Sequence, residues 1–497
     1  MTLAEIAQAV GGTLTPGTDG ALAVTGPVTV DSRAIEPGGL FAAFVGEHVD
    51  GHEFAAAAVT QGAVGVLASR QVAGESARIP TVLVADVQDA LGKLACAVVS
   101  RLPQTTVIGL TGSSGKTSTK DMLGQVLAAH GTTIAPKGSF NNEIGLPLTV
   151  LRADEDTRYL VLEMGSRGIG HLTYLCQIAP PSVGLVLNVG SAHVGKFGSK
   201  EQTAQAKGEL VEALPKDGLA VLNADDPLVA PMRERTVARV LTFGESAAAD
   251  VRATGVELGP DGRASFLLHA DAYGEPAQVA LRVVGEHHVA NALAVAAAAL
   301  GLGLPMESVA RELSAAVPLS AGRMAVSERA DGVVVIDDAY NANPESVRAA
   351  LKALAALARA RPGARAWAVL GEMLELGERS GEEHDAIGRL AVRLRIDRLV
   401  AVGEGAARAH AGASHEGSWG EESVMVADPD AALALLREQV RPGDVVLVKA
   451  SNSIGLGRVA KGLLDDDLPS HSPVDSPGPT PDDDASGEPR NAAEADR

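Results

Sequence analysis

Lys116 and Thr117 close a glycine-broken loop in the stretch VIGLTGSSGKTSTKD, residues 107–121, and those residue types in that order make a phosphate cradle. Gly112 and Gly115 free the backbone around Ser113 and Ser114 to turn N–H groups toward an anion. The helix expected to open at Lys116, Thr117 and Ser118 adds about half a positive charge at its N-terminus. A lysine at that place reaches terminal phosphates, and a neighbouring hydroxyl holds Mg2+. The general pattern G-x-x-x-x-G-K-[ST] asks for glycine at position 110, where this chain has Leu110, with glycines at 109 and 112 instead. Further along, Glu163 and His193 each stand at or just past the end of an apolar run. A carboxylate or an imidazole at such a strand end can ligate Mg2+ directly or through water.

Side chains so far apart in the chain need a sheet to gather them. Val107, Ile108 and Leu110 make an apolar strand entering the cradle, and Met122, Leu123, Val126 and Leu127 give the helix after it a buried stripe. RYLVLEMG (158–165), SVGLVLNVG (182–190) and LAVLNADD (219–226) repeat the same order of apolar strand and then polar residue. In a parallel sheet that order delivers ligands beyond the carboxyl ends of the strands. Lys207 lies in KEQTAQAKGELVEAL, a helix-like run whose spacing is compatible with a solvated lysine as well as an inward one.

The rest of the chain divides around this unit. Residues 1–103 read as a small α/β domain with strands at 27–33, 39–46, 63–69 and 80–86, a helix over 54–61, and another over 87–102 leading to the cradle. Asp31, Ser32 and Arg33, taken alone, suit a strand-end turn or a binding site. The central domain spans 104–318. A third domain, 319–463, alternates strand and helix through strands at 332–340, 365–372, 397–404, 423–428 and 444–451, which implies a mostly parallel, doubly wound sheet. Asp337, Asp338, Tyr340, Asn341 and Asn343 crowd the end of its first strand, a density that serves either binding or turn chemistry. From 464 to 497 the chain turns acidic and proline-rich and reads as a disordered tail.

Composition removes several classes of function. The chain has 497 residues, 46% of them hydrophobic, enough for several cores. Aromatics are only 3% and the formal charge is -20, which argues against a nucleic-acid partner, since such binders show stacking rings or a basic face. The N-terminus lacks a basic start and a long apolar run, so no signal peptide is expected. The longest apolar run, near Val289 to Leu304, is interrupted by Asn291 and glycines and reads as a buried helix, so no membrane span is expected and the cytoplasm is the natural address. Cys96 and Cys176 are the only cysteines and sit in apolar settings, which predicts buried free thiols.

The order of motifs resembles the Mur ligase family, the ATP-dependent amide-forming enzymes of peptidoglycan synthesis, and within it the D-alanyl-D-alanine-adding branch. The matching segments are DSR (31–33), FVGEHVDGHEF (44–54), TGSSGKTSTK (111–120), SFNNEIGLPLT (139–149), EMG (163–165), NVGSAHVGKFGS (188–199), AKGEL (206–210), NADD (223–226), GEHHVANALA (285–294), AGRM (321–324), DDAYNANPES (337–346) and LGEMLELGE (370–378). They span nearly all of residues 1–460, DDAYNANPES discriminates best among branches, and the family spaces its phosphate-loop glycines as this chain does.

The resemblance implies three domains: an N-terminal one for a UDP-sugar, a central P-loop sheet for ATP, and a C-terminal Rossmann-like one. It implies transfer of ATP's γ-phosphoryl group to the carboxylate of UDP-N-acetylmuramoyl-tripeptide, attack of D-alanyl-D-alanine on the acyl phosphate, and release of ADP and phosphate. Lys116, Glu163, His193 and Lys207 would be the catalytic groups. Thr117, Glu163, His193 and a carbamylated Lys207 would hold Mg2+, and Asn291, Arg323 and Asp338 would join the loop residues 112–118 in binding ATP. Ser32 and Arg33 would meet the UDP end, Asn141 and Asn142 the muramoyl-peptide, and Tyr340, Asn341 and Asn343 the dipeptide. The enzyme would work as a monomer whose third domain rotates on binding. The chain departs from the family at His288, where asparagine is usual, and at Asn452 and Gly457, which replace an arginine and a glutamate. Loss of that arginine removes a charge-assisted donor, a weakening of about 1.5–3 kcal/mol for an anionic ligand. A P-loop kinase or motor ATPase, a ligase for another amino acid or dipeptide, and a binding protein without chemistry are the competing classes.

Overall fold

The computed structural model describes residues 1–46, 49–72, 79–190, 198–417 and 422–465. Among them the strands form three sheets, of five, nine and six strands. This is the three-part α/β architecture expected, with the phosphate-loop strand inside the largest sheet. Most of the acidic tail, from 466 on, lies outside the described residues.

The first sheet runs in the order Thr13–Leu14, Thr81–Leu83, Gly65–Ala68, Leu40–Ala42, Val28–Thr29, parallel except for its first pair. Helix Leu3–Val10 packs on it, opened by a reciprocal Thr2–Glu5 cap and closed by Gly11 at φ 68. Helix Val87–Val99, capped by Asp86, buries Val87, Ala90, Leu91, Leu94 and Ala95. That stripe corrects the expectation for Cys96. Its apolar neighbours belong to the opposite face, and the thiol is exposed, while Cys176 is buried as expected.

In the middle sheet, strand Thr106–Thr111 lies between Val183–Val186 and Tyr159–Glu163, all parallel. The loops that follow these three strands therefore meet at one carboxyl edge. Thr133–Ile134 extends the sheet beyond Tyr159–Glu163, and Leu219–Asn223 and Arg239–Gly244 extend it the other way. Past them comes an antiparallel meander, Val251–Leu258, Arg263–His269 and Ala277–Val284, which the motif reading did not include. Its inner face, with Phe266, Leu268, Val279 and Leu281, joins the core around helix His288–Gly301. From Ala292 to Leu300 every residue of that helix is buried, as its interrupted apolar run predicted. No described helix is long and apolar enough to cross a membrane.

The third sheet follows the order Ala325–Glu328, Val334–Asp337, Val445–Lys449, Ala366–Leu370, Arg398–Val402, Ser423–Val426, parallel except at its first pair. Val445–Lys449 is central, so the residue ending it, Lys449, is buried next to Asp338, which follows strand Val334–Asp337. Helix Pro344–Arg359 starts just beyond, with Asn343 as its cap and proline at its first turn.

Candidate active site

Gly115 holds φ 80, and a Cβ there would stand 2.5 Å from Asn291 Oδ1. The turn and the close approach both require glycine. Helix Lys116–Ala128 begins at once, aiming its N-terminus across the loop. Asn188, at the end of the neighbouring strand, stitches the loop: its Oδ1 accepts from the N–H groups of Ser113 and Ser114, each at 3.0 Å, and its Nδ2 donates to the Ser114 carbonyl at 3.2 Å. Ser113 Oγ in turn accepts from Gly190 N–H at 2.8 Å. Lys116 Nζ donates to the Gly112 carbonyl at 2.7 Å. Burial lowers the Lys116 pKa; the Glu163 carboxylate opposes that shift and Arg323 adds to it.

Glu163 is 1% exposed. Its Oε1 accepts from Ser139 Oγ and Asn141 Nδ2, both at 2.7 Å, whereas its buried Oε2 has no hydrogen-bond partner among the described residues. An unpartnered buried carboxylate oxygen is costly unless a cation meets it. Thr117 is buried in the same cavity wall, so hydroxyl and carboxylate donors of the kind Mg2+ prefers lie together. These residues fit the metal. Among the described residues no group of three or more His, Cys, Asp or Glu could hold one alone, so water, phosphate oxygens or a modified lysine would complete the set. His193 lies outside the described residues.

Lys207 turns inward from helix Lys200–Glu212, which Ser199 caps. It is 2% exposed and shares the cavity with Lys116 and Glu163. Burial, and then the Lys116 charge, push its pKa well below the lysine range. That burial excludes the solvated alternative, and the depressed pKa favours the neutral amine over the ammonium.

Across the loop stands the third sheet. Arg323 lies 4.3 Å over the Tyr340 ring. Its successor Met324 has φ 52, and the Met324 N–H donates to Asp338 Oδ1 at 3.1 Å. Asp338 Oδ2 receives Lys449 Nζ at 2.6 Å, and the same ammonium donates to the Asn341 carbonyl at 2.8 Å. Asn291 pairs its Nδ2 with His288 Nδ1 at 3.2 Å. The His287 ring lies tilted by 38° with its centre 4.2 Å from that of His288, and burial drives its pKa to about 4, with Asp338 opposing and Lys449 assisting.

Other expected residues have local partners. Asn141 serves Glu163, and Asn142 Oδ1 accepts from Ile144 and Gly145 N–H at the start of helix Gly145–Val150. Asn341 Oδ1 accepts from Ala342 N–H, and Asn343 caps its helix while Nδ2 reaches the Ser113 carbonyl at 3.4 Å. All four line the cavity with Tyr340. Ser32 and Arg33 do not: they sit on the short turn Ser32–Ala34 of the first unit, where Arg33 forms a two-point pair with Asp31 at 2.8–2.9 Å.

One cavity of about 680 Å3 thus takes in Ser113 to Ser118, Glu163, Lys207, Asn291, Arg323 and Asp338. Gly112 is the loop's remaining member, within reach through its bond from Lys116. Three family models match along the chain: the Mur ligase family catalytic domain over 27–98, the Mur ligase middle domain over 110–299, and the Mur ligase glutamate ligase domain over 322–452. The UDP-N-acetylmuramoyl-tripeptide–D-alanyl-D-alanine ligase of Mycobacterium bovis is 52% identical over 94% of this chain and 98% of its own. This chain belongs to the Mur ligase family. Solved Mur ligases share its architecture. A MurF crystal structure from Acinetobacter baumannii has a TM-score of 0.80 at 33% identity, covering 93% of this chain and 98% of that one. MurF from Thermotoga maritima in complex with ADP has a TM-score of 0.73 at 30% identity, covering 89% and 98%.

As a Mur ligase site, the cavity contains residues that the motif reading did not single out. Lys449 and Asn188 are the main ones, and Arg167 and His171 line its outer lip. Both Asn188 and Lys449 end apolar strands, the same signal that exposed Glu163. Asn452 is exposed and neither it nor Gly457 lines the cavity.

Proposed function

We propose that this chain is an ATP-dependent amide ligase of peptidoglycan precursor synthesis that joins D-alanyl-D-alanine to UDP-N-acetylmuramoyl-tripeptide. The observation carrying the reading is that one cavity unites a phosphate loop, a buried carboxylate oxygen without a partner among the described residues, and a buried lysine. Kinases and motor ATPases use a phosphate loop and a metal-holding carboxylate but have no need of the buried lysine.

An ionised carboxylate is a poor acyl donor, so the peptide acid must be activated. Its oxygen bonds to the γ-phosphorus of ATP as the bridge to the β-phosphate breaks and ADP leaves. The dipeptide's amine, having lost a proton, then attacks the acyl carbon and phosphate departs. Both steps crowd negative charge, which fixed donors stabilise most where water is excluded. Lys116 and the N–H groups at the head of helix Lys116–Ala128 hold the β- and γ-phosphates. Asn291 and Asp338 bind the nucleoside, and Arg323, already stacked on Tyr340, lies near the phosphates. Mg2+ when bound would supply neutralising charge, and Thr117, Glu163, His193 and a carbamylated Lys207 would be its protein donors.

Carbamylation suits Lys207 because only the neutral amine attacks CO2, forming an N–C bond and releasing a proton, and burial shifts Lys207 toward that neutral form. A cation beside Lys116 thereby becomes an oxygen donor. Ser32 and Arg33 serve the UDP end, Asn141 and Asn142 the muramoyl-peptide side, and Tyr340, Asn341 and Asn343 the dipeptide side. We place the reaction in the cytoplasm, carried out by a monomer.

The test is a single reaction of purified protein with ATP, Mg2+, UDP-N-acetylmuramoyl-tripeptide and D-alanyl-D-alanine, read by mass spectrometry. The expected product is the peptide plus the dipeptide less one water, with one ADP formed per bond. ADP release that proceeds equally without the dipeptide would put a simple phosphohydrolase in its place.

A further inference from the structure

The lip of the cavity beyond Glu163 carries a charged cluster to which no step above gives a role. Arg167 Nη1 donates to Glu143 Oε1 at 2.7 Å. His171 accepts the Arg167 backbone N–H on Nδ1 at 3.2 Å, which leaves Nε2 to face Glu143 Oε2 at 3.3 Å. Neither of those last two atoms has a well-formed hydrogen bond among the described residues, although both are buried. The Arg167 side chain is 57% exposed, and among the described residues its guanidinium has no acceptor other than Glu143. Both Arg167 and His171 line the cavity.

Their place in the fold says which substrate passes them. Asn291, Arg323, Asp338 and Lys449 come from helix His288–Gly301 and the third sheet, and they wall the nucleotide side of the phosphate loop. The lip belongs to loops after Thr133–Ile134 and Tyr159–Glu163, the two strands at one edge of the middle sheet. Helices Gly145–Val150 and His171–Ile178, which leave that lip, pack against helix Val87–Val99 of the first unit. A nucleotide-sugar tethered on the first unit must extend its peptide over this edge to bring its carboxylate to Glu163. Exposed Phe140 and Ile169 flank the way.

The carboxylate to be activated belongs to the terminal peptide residue, so that residue's own side chain is the part left beside the lip. We infer that Arg167, held by Glu143, is a specificity-determining residue that pairs with a carboxylate on the side chain of the third residue of the acyl peptide. A diamino dicarboxylic acid such as 2,6-diaminopimelate has that group; lysine is the same chain without it. The inference rests on the ligase reading.

The experiment compares UDP-N-acetylmuramoyl-tripeptides ending in diaminopimelate and in lysine, with unaltered protein, Arg167→Ala and Arg167→Lys. The unaltered protein is expected to favour the diaminopimelate peptide by about tenfold or more in kcat/KM, chiefly through KM. Arg167→Ala should bring the two peptides to within about twofold, and Arg167→Lys should keep part of the preference because it keeps a charge but loses the fork. Equal use of both peptides by the unaltered protein, or an undiminished preference in Arg167→Ala, overturns the inference. If ADP binds but neither peptide is ligated by any form, the ligase reading itself falls.

Discussion

The Lys449 ammonium lies 2.6 Å from the Asp338 carboxylate, with the two side chains 2% and 10% exposed. Their strands are adjacent and parallel, so the pair is built by sheet register. Asp338 spends its other oxygen on Met324 N–H, one residue after Arg323. Lys449 therefore fixes the orientation of the carboxylate proposed to bind the nucleoside and, through it, the backbone next to Arg323.

Removing one partner leaves the other charge buried alone. Lys449→Met is expected to cost about 3 kcal/mol of stability in urea unfolding and to weaken ADP binding about tenfold. The double variant Lys449→Met with Asp338→Asn should recover much of the stability but not the affinity. A single variant as stable as the parent would show that the pair is not the anchor.

Glu163→Gln keeps an oxygen to accept from Ser139 and Asn141 while replacing the unpartnered Oε2 with an N–H group. Titration of ADP without Mg2+ should be nearly unchanged, the gain in affinity on adding Mg2+ should vanish, and turnover should fall by about a hundredfold or more. An undiminished Mg2+ effect would remove Glu163 from the metal's donors.

For Lys207, the depressed pKa sets the sign of two effects. Between that value and the ordinary lysine value near 10.4, the unfolded chain holds a proton that the folded one does not, so this group's contribution to stability rises with pH across that window. In the same window the amine can take up CO2. Protein equilibrated with 13C-labelled bicarbonate at pH 8 should show a carbamate carbon signal that is missing from Lys207→Met. The signal's persistence in the variant would assign it elsewhere.

Much of the fold and the centre of the site were legible because their signals are local. A glycine-broken loop between strand and helix announces Lys116, and an apolar run ending in a polar residue announces Glu163. What stayed hidden depends on which strands become neighbours. Lys449 ends a strand as plainly as Glu163 does, but its importance comes from pairing beside Val334–Asp337, across more than a hundred residues of chain. Asn188 lay inside a recognised motif, yet only the adjacency of Val183–Val186 to Thr106–Thr111 puts its amide on the loop. Cys96 was misplaced because apolar neighbours in sequence do not share a helix face.

His287 and His288 make a last prediction, which concerns pH. Burial is the main cause of both depressed values, to about 4 for His287 and well below the ordinary value for His288, where the adjacent His287 adds to the effect. An unfolded histidine titrates near 6.5, so as pH falls from there the unfolded chain gains protons that the folded chain refuses. Stability must therefore decline between about pH 6.5 and pH 4, by about 1.4 kcal/mol per pH unit for each such histidine. His288→Asn keeps a side-chain acceptor for Asn291 while removing one titrating ring. Urea unfolding at pH 6.0 and 5.0 should give a slope smaller than the parent's by about 1.4 kcal/mol per unit, with ADP affinity at pH 7.5 largely preserved. An unchanged slope would mean that His288 takes up its proton in the folded state, and that the hydrogen bond from Asn291 does not depend on a neutral ring.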